Sequence, residues 1–106
     1  LELTPAYDLC PQSRTGQEAS QAMLIYGSRR LSTLQTCIDA AHIFLLSQEE
    51  AVHIIQKQVQ IIIHEWEQAC DQAQLNPVDR ALLWRRQFLN PYAFQDAPAP
   101  IAKLIA

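Results

Sequence analysis

The 106-residue chain is 49% hydrophobic and 18% charged, a globular composition that excludes a disordered tail. Eight basic residues against eleven acidic ones leave a net charge of −3, which argues against a general affinity for nucleic-acid phosphates. No apolar run approaches the roughly 18 residues of a membrane span, and two glycines are too few for the tight turns of an all-β fold.

The length suits one modest hydrophobic core. Cys10, Cys37 and Cys70 are odd in number and form no C-x-x-C pair, a pattern of reducing compartments. The expectation is therefore a cytoplasmic, mainly α domain. The opening Leu1-Glu2-Leu3 has neither an initiator methionine nor a signal-peptide pattern, and it reads as part of something longer.

In chain order, Leu1-Glu2-Leu3-Thr4 alternates before Pro5, as a strand end entering a turn does. Residues 11–20 are polar and read as a loop. Ala22-Met23-Leu24-Ile25-Tyr26, stopped by Gly27, reads as a short strand. Ser32 is placed to cap a first helix ending by Leu46, with Leu34, Ile38, Ala41 and Leu45 on one stripe. Ser47-Gln48-Glu49-Glu50 is a capping box that opens a long helix over residues 48–74. Val52, Ile55, Val59, Ile62, Trp66 and Ala69 share one face of it. Ile54, Ile61 and Ile63 widen that surface, so the helix is expected to pack on two sides. Asn76-Pro77-Val78-Asp79 starts a third helix, stopped by Asn90-Pro91. Residues 95–100 are rich in alanine and proline and read as a flexible exit, followed by a short docked turn at 101–106.

Few constellations point to chemistry. His42, His53 and His64 are evenly spaced, but His53 and His64 are about 16 Å apart along a helix, too far to share an ion. Glu50 and His53 form a single E-x-x-H, where a di-iron bundle needs two copies and further glutamates. His64-Glu65 lacks the second histidine of H-E-x-x-H, because position 68 is Gln. Surface or half-buried histidines are the simpler reading. Cys37 and Cys70 fall on or near apolar stripes and read as core fillers. Arg80, Arg85 and Arg86 with Trp84 and Tyr92 form a basic–aromatic cluster, able to meet a phosphate or an acidic partner. Arg80 and Trp84, four residues apart, more simply make a cation–π contact within the helix.

The segment Leu3-Thr4-Pro5-Ala6-Tyr7-Asp8-Leu9 is the most informative. Taken alone, Asp8 is a turn residue bonding its own backbone. A carboxylate just past a strand end is also where kinase-like folds hold magnesium, clamped on phosphates by hard oxygen ligands. This segment, the following "QAMLIYG" and the helices ending in "LLWRRQFLNPYAF" resemble the carboxy-terminal part of HipA-like serine/threonine kinases, the toxins of bacterial toxin–antitoxin pairs. The resemblance spans residues 1–94, divided into a strand and loop region at 1–31 and three helices at 32–94, with residues 95–106 as a tail.

The resemblance implies a mainly α fold, the helical carboxy-terminal lobe of a protein-kinase-like architecture with a short strand and turn region at its start. It implies that Asp8 binds Mg²⁺ and ATP as the DFG aspartate of kinases does, positioned by Pro5 and Tyr7. The implied partners are upstream kinase lobes of the same protein, a DNA-binding antitoxin and an aminoacyl-tRNA synthetase as protein substrate, with no membrane and no direct nucleic-acid contact. The phosphate loop, the ATP-pairing lysine and the catalytic-loop aspartate of the family lie upstream of the Pro-Ala-Tyr-Asp-Leu segment. The 106 residues alone are therefore expected to be inactive, with no catalytic residue among them. The alternatives are a non-catalytic helical protein-interaction module, motivated by the long helix apolar on more than one side, and a nucleic-acid binder centred on Arg85 and Arg86.

Overall fold

The computed structural model describes residues 2, 4–7, 16, 18–21 and 23–106. The chain is mainly α-helical. Its helices are α1 (Leu34–Asp39), α2 (Gln48–Gln72), α3 (Pro77–Leu83) and α4 (Ala99–Ala102). Single 3₁₀ turns at Ala41–Phe44, Pro91–Phe94 and Lys103–Ile105 complete the order.

Of the short strand expected at residues 22–26, residues 23–26 form none, and Ala22 lies outside the described residues. Among the described residues its apolar run finds no partner ladder. Two isolated antiparallel bridges, Ser20 with Leu31 and Tyr26 with Arg29, make an irregular hairpin instead. Gly27, at φ 56°, takes the left-handed position of its turn. Met23 and Leu24 are exposed. Glu2 and Thr4 belong to no strand, while Leu1 and Leu3 lie outside the described residues. Arg29 pairs with Asp39 and ties the hairpin to α1.

The cap of α1 is Thr33 rather than Ser32. The Ser32 hydroxyl accepts from Gln21 Nε2 at 2.9 Å and its amide donates to Ala19 O, so Ser32 closes the hairpin. Thr33 Oγ1 accepts from the Thr36 amide. The first helix is also shorter than its apolar period suggests. It tightens into the 3₁₀ turn at Ala41, and Leu45 stands left-handed at φ 61°. That change of register turns Leu45 off the expected buried stripe and leaves it 87% exposed.

α2 opens on the expected capping box, with Ser47 accepting from the Glu50 amide and the Glu50 carboxylate accepting from the Ser47 amide. It closes two residues earlier than the sequence suggests. Gln74 is left-handed at φ 58°, the Leu75 amide donates to Cys70 O and the Gln74 amide to Asp71 O, which is a Schellman closure. The start of α3 is as read, since Asn76 Oδ1 accepts from the Asp79 amide at 2.8 Å and Pro77 follows. Its end is not at Asn90. The backbone turns extended at Trp84 and left-handed at Arg85 and Leu89, then folds back so that Phe88 bridges Trp84. Buried Asn90 instead starts the next 3₁₀ turn, accepting from the Tyr92 amide and donating to Arg86 O.

The core forms where the first half of α2 crosses α1 and the carboxy-terminal segment. Ile38, Ile55, Val59, Phe94 and Ile101 are its buried members, flanked by Leu34, Val52, Leu89, Ala97 and Leu104. Ile101 is 0% exposed. The Ala/Pro-rich stretch is therefore no loose exit. Ala97 packs on the core, α4 docks Ile101 into it, and Arg85 Nη1 donates to Ile105 O at 2.9 Å. The docked turn expected at 101–106 is present.

Candidate functional site

α2 is 25 residues long, about 37 Å at 1.5 Å per residue, and the core occupies only its first half. Ile55 and Val59 are buried, whereas Ile61, Ile62 and Ile63 further along the helix are exposed. Among the described residues the two-sided packing expected from Ile54, Ile61 and Ile63 is thus not met: the isoleucines face outward.

What covers the second half in part is an aromatic cluster. The Trp66 ring stacks against Trp84 with centroids 5.0 Å apart and against Phe88 at 4.9 Å. The hooked end of α3 sets Phe88 beside Trp84, and both rings meet Trp66. Arg80 braces the same corner through Glu67 at 2.9 Å, Asp71 at 2.7 Å and Leu75 O at 3.0 Å. The expected Arg80–Trp84 cation–π contact is not made; Arg85 lies over the Trp84 ring instead, 5.7 Å from its centroid.

Several open grooves flank α2. One of about 440 Å³ runs beside Ile61, Ile62, Ala69 and Ala73, walled by Leu83 and Phe88. A second, about 330 Å³, lies on the amino-terminal half between Ile54, Ala51, Phe44 and Leu46, with Ile25 and Cys37 at its edge. On the wheel of α2, Ile54, Ile61, Ile62, Ala69 and Ala73 fall within roughly 120°, so these two grooves lie along one flank of the helix. The third, about 680 Å³, lies on the other side of Trp66 beside Pro77, Arg80 and Trp84. Lining is almost wholly apolar in the first two. Such contiguous apolar exposure is uncommon on a monomer and marks interaction surfaces.

The residues singled out for chemistry are not gathered. Asp8 lies outside the described residues, as does Cys10; Tyr7 is exposed. His42 sets its ring edge-on to Tyr26 and bonds Asp39 O, while His53 and His64 are exposed on α2. Among the described residues no three His, Cys, Asp or Glu side chains are placed to hold a metal ion. The Glu50 carboxylate serves the helix cap. Two of the three clustered guanidiniums are committed within the chain, Arg80 to carboxylates and Arg85 to the Ile105 carbonyl. Cys70 is buried, as expected of a core filler, and supports the Leu75 closure. Cys37 is not in the core: it lies exposed at the rim of a groove, where partial burial pushes its thiol pKa up. Among the described residues no helix is long and apolar enough to cross a membrane.

The apolar flank was partly legible in sequence through Ile54 and Ile61. Phe44 and Leu45 were not, because a helical period places Leu45 inward. Comparison with family models, with curated proteins and with solved structures found no match for the chain.

Proposed function

We propose that this chain is a non-catalytic helical module that works by docking a protein surface along one flank of α2. The observation that carries this reading is the row of apolar side chains left outside the core, from Phe44 and Ile54 to Ile61, Ile62 and Phe88, beside grooves of about 330 and 440 Å³. Apolar surface of this kind gains most when a complementary face removes it from water. A photo-crosslinking residue at position 62, compared in cells with one at exposed position 53 on the polar face, tests it. A discrete protein adduct confined to position 62 is expected. Equal labelling from the two positions, or none from position 62, removes the reading.

A second reading is favoured by the Pro5-Ala6-Tyr7-Asp8-Leu9 segment. In it the module is the helical carboxy-terminal lobe of a HipA-like kinase, docked on upstream lobes, with Asp8 as ligand to Mg²⁺ and ATP. Asp8 lies outside the described residues, and among those described no three His, Cys, Asp or Glu side chains are placed to hold a metal ion. Replacing Asp8 by Ala in the protein as the cell makes it is expected to abolish phosphate transfer and leave helicity unchanged. Retained transfer excludes the kinase role of Asp8 without touching the docking face.

A further inference from the structure

One charge sits inside the apolar flank. Counting about 100° per residue round α2, Glu65 stands about 40° from Ile61 and about 40° from Ala69, so it lies within the apolar arc rather than at its edge. It lines the groove of about 440 Å³ with Ile61, Ile62, Ala69, Leu83 and Phe88, and among the described residues that lining holds no other charge. The carboxylate is exposed and has no ion-pair partner among the described residues. Lys57, the one lysine of α2, lies about 12 Å back along the axis and about 80° round it. Arg80 and Arg85 are held elsewhere, by Glu67 and Asp71 and by the Ile105 carbonyl.

A partner that removes both Ile61 and Ala69 from water therefore removes Glu65 with them. Burying that carboxylate against apolar atoms alone opposes association, whereas a cation set against it gives the same group a role in specificity. The backbone of the occupant is constrained as well. The groove is walled by apolar side chains, so an extended peptide would leave its own N–H and C=O groups without partners there; a helix satisfies them internally. From Ile61 to Ala73 the groove follows about 18 Å of α2, the length of about three helical turns.

We propose that this flank receives an amphipathic helix of a partner protein, whose apolar stripe fills the groove and whose lysine or arginine meets Glu65. The inference rests on the docking reading above and names the chemistry of the partner. Ala69 and Ala73 let the helix backbone come close, while exposed Ile61, Ile62 and Phe88 pack between its apolar positions three and four residues apart.

The test is a selection from a phage-displayed library of random-sequence helical peptides, with the 106-residue chain as bait. Selected peptides are expected to carry apolar residues three and four apart with lysine or arginine beside them. A synthetic copy of one should bind E65Q about tenfold more weakly than the parent chain, with the difference smaller at high salt. Selection against E65K should replace the basic residue by aspartate or glutamate. Circular dichroism of both variants should match the parent, since Glu65 is exposed. No selected peptide, peptides with no basic excess over the library, or equal binding to parent and E65K overturns the proposal. Sedimentation at twice the 12.0 kDa chain mass, reversed by Ile61→Asp, gives the flank to a second copy and also overturns it. The two readings fail separately. A discrete adduct from position 62 with peptides indifferent to Glu65 loses the basic helix and keeps the docking face; no adduct and no peptide loses both.

Discussion

Asp39 shows how one carboxylate joins two parts of the chain. Partial desolvation opposes its ionisation, but hydrogen bonds from Arg29 and Gln35, together with the Arg29 charge, hold its pKa below the usual carboxylate range. Because the folded value lies below the unfolded one of about 3.9, the contribution is complete at neutral pH and is lost as pH falls through the folded pKa. An NMR titration of the Asp39 carboxyl carbon should give a midpoint below about 3.9, and Arg29→Ala should return it toward that value. A midpoint already ordinary in the parent chain would remove Arg29 as the anchor. The two described cysteines differ by the same environmental logic. Cys37 is reachable but its thiol pKa is raised, so at neutral pH it is mostly protonated. Peptide-mapped alkylation should find Cys37 modified slowly, with a rate rising steeply above neutral pH, and Cys70 modified only on unfolding.

At the scale of elements, helix starts and helix stops behave differently. α2 begins where Ser47 and Glu50 satisfy each other's amides, three residues apart. Ser47→Ala should cost about 1 kcal/mol in a denaturant titration, within the usual 0.5–2 for a lost cap. α2 ends where a glutamine takes the left-handed position that glycine normally fills. Gln74→Gly should therefore leave stability unchanged or raise it by up to about 1 kcal/mol, since relief of the side-chain clash is offset in part by the freer unfolded chain. A clear loss would show that the Gln74 side chain has a packing role that its backbone angle does not reveal. The starts of α2 and α3 were legible in sequence because their caps act over three or four neighbouring residues; that of α1 was not, because Ser32 is taken by the hairpin and Thr33 caps instead. Stops were not: where α3 ends, Trp84 and Phe88 meet Trp66, 18 and 22 positions earlier in the chain, a contact no local pattern announces.

For the whole molecule, the decisive contact is the return of the carboxy-terminal segment to the core. Ile101 meets no water and packs with Ile38, Ile55, Val59 and Phe94. Ile101→Ala should cost about 2–5 kcal/mol, a large part of the stability of a domain this size, and thermal unfolding would record it. Ile61→Asp, on the exposed flank, should stay within about 0.5 kcal/mol of the parent while removing crosslinking from position 62. The pair of variants separates residues that hold the fold from residues that dock.

By itself the sequence determined the helical class, the starts of α2 and α3, and the apolar stripe that becomes the core at Ile55 and Val59. Each of these depends on residue types within one or two turns of one another. Tertiary structure alone decided that Ser32 closes a hairpin while Thr33 caps α1, that Leu45 faces out, that Ile101 completes the core, and that Ile61 and Ile62 stay uncovered. Those outcomes depend on what other segments bring to the same place. A hydroxyl can serve one amide or another, and an apolar face is buried only where a partner arrives to cover it.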